Sequence, residues 1–87
     1  MTTKVNGKRV AIYDNGGKSF DRYTVVYLWA GKDRIGRHSC VEMSECPFHP
    51  HGFGQHGDCQ NGRHLGKRIQ FEDLPSQCQR LVWNDCN

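Results

Sequence analysis

The chain has 87 residues, including five cysteines and five histidines, and a net charge of +3 with histidine neutral. A chain of this length buries only about 60–65% of the surface it exposes when unfolded, so it has room for one domain with a thin core. Domains near that limit often carry a staple such as a metal, a disulfide or an oligomer contact. The scattered positive charge lacks the basic stripe of a dedicated nucleic-acid binder. No apolar segment approaches the span of a bilayer, and MTTKVNGKRV lacks the apolar centre of a secretory signal. These features lead to the expectation of a soluble, cytoplasmic protein without membrane contact. Its cysteines are then expected to be free or metal-bound rather than paired.

In chain order, KRVAIY at 8–13 sets Val10 and Ile12 on one face at a period of two, which predicts a strand. Asp14-Asn15-Gly16-Gly17 tolerates the positive φ of a tight reversal, and the loop is expected to run on to Asp21. RYTVVYLWA at 22–30 is β-branched and aromatic on both faces, as in a central strand, with Tyr27 and Trp29 in the core. Residues 31–36 are the next turn. RHSCVEM at 37–43 predicts a partner strand, with Ser39, Val41 and Met43 on one side and His38, Cys40 and Glu42 on the other.

From residue 44 to 65 no periodicity survives, and so long a loop in so small a domain needs something to hold it. Alternation returns in GKRIQF at 66–71, with Ile69 and Phe71 facing one way. A helix is expected over about 75–84. Pro75 stands at its first position, Asp73 faces its dipole, and Leu74, Cys78, Leu81 and Val82 form its apolar face. Trp83 is expected in the core, and the tail 84–87 is expected to fray. The fold expected is a single α+β domain over 1–87. It has a small twisted antiparallel sheet of three or four strands, one C-terminal helix and a long metal-braced loop.

That loop contains ECPFHPHGFGQHGDC. Cys46 and His49, then His56 and Cys59, form C-x2-H and H-x2-C pairs. Two thiolates and two imidazoles in a tetrahedron suit zinc in a closed structural site. His51 can replace His49, Cys40 can supply a thiolate, and a stiff loop without metal is the competing reading. Weaker readings are a Cys46–histidine nucleophile and a metal-dependent hydrolase or nuclease using His56, Asn61 and His64. Asp21 and Arg22 read as a charge pair oriented towards a partner, or as a clamp on the first loop. Arg63, Lys67 and Arg68 beside the long loop are the residues through which a nucleic acid would be held.

Tyr13-Asp14-Asn15-Gly16-Gly17, Asp21-Arg22-Tyr23-Thr24, Met43-Ser44 with Pro47-Phe48 and Pro50, Gly52-Phe53, Leu65-Gly66-Lys67 and Asp73-Leu74-Pro75 occur in this order. In this set the chain resembles a group of small uncharacterised proteins of phages and bacterial mobile elements, over most of residues 13–82. The resemblance implies a phage-type setting, hence the cytoplasm of a host cell. The functional expectation is a non-enzymatic protein that binds a host protein, in host takeover or anti-defence, with no catalytic residue. The alternatives are a nucleic-acid-binding module and the hydrolase.

Overall fold

A computed structural model describes residues 3–87. Six strands form one antiparallel sheet: β1 (Thr3–Val5), β2 (Lys8–Asp14), β3 (Tyr23–Tyr27), β4 (His38–Met43), β5 (Gly54–Cys59) and β6 (Lys67–Ile69). One helix follows, α1 (Ser76–Asp85). The strands lie in the order β1-β2-β3-β4-β5. β6 pairs with β2 further along the edge that β1 occupies, with β1 opposite Lys8 to Val10 and β6 opposite Ile12 to Asp14. The α+β class is as expected, with more strands than the three or four read from the sequence.

The β1–β2 hairpin turns at Asn6-Gly7, where φ is +52° and +77°. Both values suit the two-residue turn that matches strand twist, and glycine adopts the second without a Cβ clash. β2, β3 and β4 follow their alternation. The strand expected over 22–30 stops at Tyr27, and Leu28–Ala30 forms a 3-10 turn. Trp29 is therefore exposed under the Lys8 ammonium, 4.6 Å from its ring centroid, and Trp83 is exposed on the helix. Neither tryptophan is in the core.

Alternation sends Val10, Ile12, Tyr23, Val25, Val41 and Met43 to one face of the sheet, where α1 covers them. Leu74, Cys78, Val82 and Cys86 are the buried helix-side residues, a stripe spaced by four, with Leu81 packed beside it. Burial of Leu74 or Val82 contributes about 1.5–3 kcal/mol each. The helix begins one residue later than expected, leaving Pro75 as its cap. Asp73 accepts from the Gln70 N–H at 3.0 Å and so caps the preceding 3-10 turn, Phe71–Asp73, instead of the helix. The tail does not fray at Cys86. That residue is fully buried, and Asn6 Nδ2 donates to its carbonyl at 3.2 Å.

The opposite face gathers Ala11, Tyr13, Val26 and Cys40. The segment from β5 to β6 crosses this face with Leu65 packed on it, and the Tyr13 hydroxyl donates to Asn61 Oδ1 at 2.6 Å. The crossing ends at Gly66, φ +127°, where a Cβ would sit 2.4 Å from the Asp14 carbonyl oxygen. Only glycine fits that approach. The loop expected to be irregular over 44–65 thus contains β5 and a 3-10 turn, Arg63–Leu65. Among the described residues, no helix is long and apolar enough to cross a membrane.

Candidate functional site

The antiparallel order brings the loop between β2 and β3 and the loop between β4 and β5 to the same end of the sheet. Each is shaped by its own polar side chains. In the first, Asp14 Oδ1 accepts from Gly16 N–H at 2.7 Å, and Asn15 Oδ1 accepts from Gly17 and Lys18 N–H at 2.8 and 3.1 Å. Such side-chain acceptors replace a backbone turn. Arg22, just before β3, then donates through Nε and Nη2 to both oxygens of Asp14, at 2.8 and 3.1 Å. Its Nη1 reaches Glu45 Oε1 across the gap at 3.1 Å. These donated bonds hold the Asp14 carboxyl below its ordinary range and raise the Arg22 guanidinium further. Arg22 is the clamp of the loop and ties it to the second one.

The second loop closes through Ser44 N–H to the Phe53 carbonyl at 2.8 Å and Phe53 N–H to Ser44 Oγ at 2.9 Å. Inside it, His49 N–H donates to the Cys46 carbonyl at 3.1 Å and Gly52 N–H to the His49 carbonyl at 2.8 Å. The helix holds it from below. Cys78 Sγ–H donates to the Ser44 carbonyl at 3.2 Å, Gln77 Oε1 accepts from Phe48 N–H at 3.1 Å, and the Arg80 guanidinium lies 4.5 Å from the Phe48 ring centroid. Burial pushes the Cys78 thiol up to about 12, so it stays a neutral donor.

Between the two loops opens a cleft of about 710 Å³. Lys18, Phe20 and Arg22 line one wall, and Glu45, Cys46, His49, His51 and Gly52 the other. Phe20 lines the cleft and stands 66% exposed, an uncovered aromatic ring. Lys18 makes no ion pair among the described residues.

The cleft contains only part of the expected metal set. Cys46, His49 and His51 line it, and His49 Nδ1 already accepts from His51 N–H at 3.1 Å. His56 and Cys59 lie on β5, opposite Val41 and His38, and three residues along a strand point to opposite faces. His56 therefore faces the helix, where its Nε2 is 2.6 Å from Asp85 Oδ2, which also accepts from the Tyr27 hydroxyl at 2.5 Å. Cys59 faces the other side and packs beside Cys40. Burial, then the contact with Cys59, pushes the Cys40 thiol up to about 12. Among the described residues, no group of three or more histidine, cysteine, aspartate or glutamate side chains is placed to hold a metal ion. The four proposed ligands Cys46, His49, His56 and Cys59 do not converge, and neither alternate, His51 or Cys40, repairs the set. Backbone and helix contacts hold the loop in this arrangement.

The remaining candidates are dispersed. Contact between Asp21 and Glu42 lowers the Asp21 carboxyl and raises that of Glu42, so Glu42 takes up a proton the more readily of the two. Arg68 lies 5.8 Å from the Tyr13 ring centroid and reaches the Val10 carbonyl at 3.4 Å, which makes it part of the sheet's packing. Lys67 in β6 stands opposite Asp14 of β2 in register, and Arg63 is exposed on the crossing segment. His64 sits on that same segment, across the sheet from the helix face that His56 joins, so the hydrolase set is not assembled. Cys46 shares the cleft with His49 and His51, and no hydrogen bond joins its thiol to an imidazole among the described residues.

Sequence reading missed Lys18, Ser19 and Phe20 as cleft residues. The available signal was a lone phenylalanine inside a polar, glycine-rich turn. The chain matches no family model, no curated protein and no solved structure.

Proposed function

We propose that the protein is a non-enzymatic binding module of the phage type it resembles, and that it takes an extended, acidic segment of a host protein into this cleft. The observation that carries the reading is Phe20, exposed at the lip of a groove whose floor and walls are already fixed by hydrogen bonds. A pre-formed groove saves the ordering cost that a flexible loop would incur on binding. Arg22 is matched by Asp14 and Glu45, so Lys18, which has no ion pair among the described residues, is the cation that favours an acidic partner. Such a contact serves host takeover or anti-defence without chemistry of its own.

Affinity purification from host lysate, comparing the wild type with Phe20→Ser and Lys18→Glu, tests the reading. One host protein is expected in stoichiometric amount with the wild type and with Lys32→Gln, a change at the other end of the sheet, and is expected to be lost with both cleft variants. Absence of any stoichiometric partner, or a partner retained equally by all four proteins, refutes it.

A further inference from the structure

At the opposite end of the sheet from the loop cleft, the β3–β4 loop and the residues after β5 enclose a second cleft of about 640 Å³. Its polar lining is Arg9, Lys32, His38, Gln60 and Asn61, and no carboxylate among the described residues lines it. The loop that forms one wall is closed by its own hydrogen bonds. Asp33 Oδ1 accepts from Ile35 N–H at 3.0 Å and Arg37 N–H at 2.8 Å, and Asp33 N–H donates to the Arg37 carbonyl at 2.9 Å. The Asp33 charge is itself met by Arg37, 3.4 Å away. Lys32 and Arg9 make no ion pair among the described residues.

His38 supplies the independent sign of a ligand. It is only 7% exposed, lines this cleft, and its Nδ1 is buried with no hydrogen-bond partner among the described residues. A buried polar nitrogen left alone is uncommon in native proteins and calls for a partner. Two free cations beside this imidazole make an oxyanion the complementary occupant. The space also holds apolar surface, Leu28 and an Ile35 that is 63% exposed, which a bare inorganic anion would leave wet. The Asn61 carboxamide oxygen is occupied by the Tyr13 hydroxyl, so its amide nitrogen is left as a donor, and Gln60 is exposed beside it.

We infer that this cleft is a binding site for a phosphate monoester with a flat organic body, of nucleoside monophosphate size. Arg9 and Lys32 take the phosphate beside His38, Leu28 and Ile35 cover the apolar body, and Gln60 and Asn61 meet its polar edge. The site stands apart from the loop cleft and does not depend on what that cleft binds.

Amide chemical-shift titration and calorimetry of the full chain test the assignment with three probes: adenosine monophosphate, adenosine and inorganic phosphate. The monophosphate is expected to saturate, moving the amides of residues 31–38 and 60–61, with adenosine and phosphate each at least about tenfold weaker. Arg9→Gln and Lys32→Gln, both at exposed positions, are each expected to weaken the monophosphate about tenfold and leave the melting temperature unchanged. No saturable shift up to about 10 mM monophosphate overturns the proposal. Equal affinity for phosphate and monophosphate overturns the organic body. Binding unaffected by either substitution overturns the location.

Discussion

Replacement of Gly52 by alanine tests what holds the second loop of the candidate site. A Cβ at this position would lie 1.8 Å from the Cys46 carbonyl oxygen, 2.9 Å from its carbon and 3.1 Å from the His49 carbonyl oxygen. Ordinary contact needs about 3.4 Å or more, so the turn must open by about 1.5 Å. All three atoms are backbone, with no flexible side-chain end to swing aside. An opening of that size breaks the His49-to-Cys46 and Gly52-to-His49 hydrogen bonds and strains the Ser44–Phe53 closure. At about 1 kcal/mol net per bond, the loss is about 2–3 kcal/mol. For a domain of this size that is a fall in melting temperature of about 10–20 °C. Gly57→Ala is the matched control, because nothing lies within 4 Å of its Cβ position. Thermal melts followed by circular dichroism, with and without a strong chelator, should show a large fall for Gly52→Ala, little change for Gly57→Ala and no effect of chelation on the wild type. If Gly52→Ala melts with the control, the turn is not closed by its backbone. If chelation lowers the wild-type transition, an ion supports the loop after all.

Two further outcomes follow from the same geometry. Asp14 is held below its ordinary range in the folded protein by the Arg22 N–H groups, so this pair contributes stability above about pH 4 that is lost as pH falls through the folded value. Arg22→Gln should therefore lose less stability than the wild type between about pH 5 and pH 2, and parallel acid titrations of the two proteins would remove the clamp from the account. The Asp21–Glu42 pair is common to both proteins and cancels in that comparison. Among the cysteines, Cys46 is exposed while Cys40, Cys78 and Cys86 are buried, with burial pushing Cys40 and Cys78 up to about 12. Reaction of the native protein with an aromatic disulfide reagent should show one fast thiol, lost in Cys46→Ser. A fast phase that survives this substitution would mean that half-buried Cys59, or one of the three buried thiols, is reachable.

Much of the architecture could be read from local pattern. β2, β3 and β4 alternate or run apolar, Asn15-Gly16-Gly17 must reverse, and Leu74, Cys78 and Val82 align along one helix face because four residues make about one turn. β1 was missed although Asn6-Gly7 marks its hairpin, because a three-residue strand is too short to display a period. β5 was missed for a deeper reason. GQHGDC has no apolar alternation and is mostly exposed, so its strand conformation comes from backbone pairing with β4.

The sequence by itself determined the α+β class, the central strands, the reversing turns and the helix face, since these depend on neighbours a few residues apart. Tertiary structure decided which side chains share a space. Cys46-x2-His49 sits in a turn and His56-x2-Cys59 in a strand, and the same two-residue spacer that gathers donors in a turn sends them to opposite faces of a strand. Both clefts likewise arise at the two ends of the sheet, from loops distant in sequence that antiparallel pairing alone brings together.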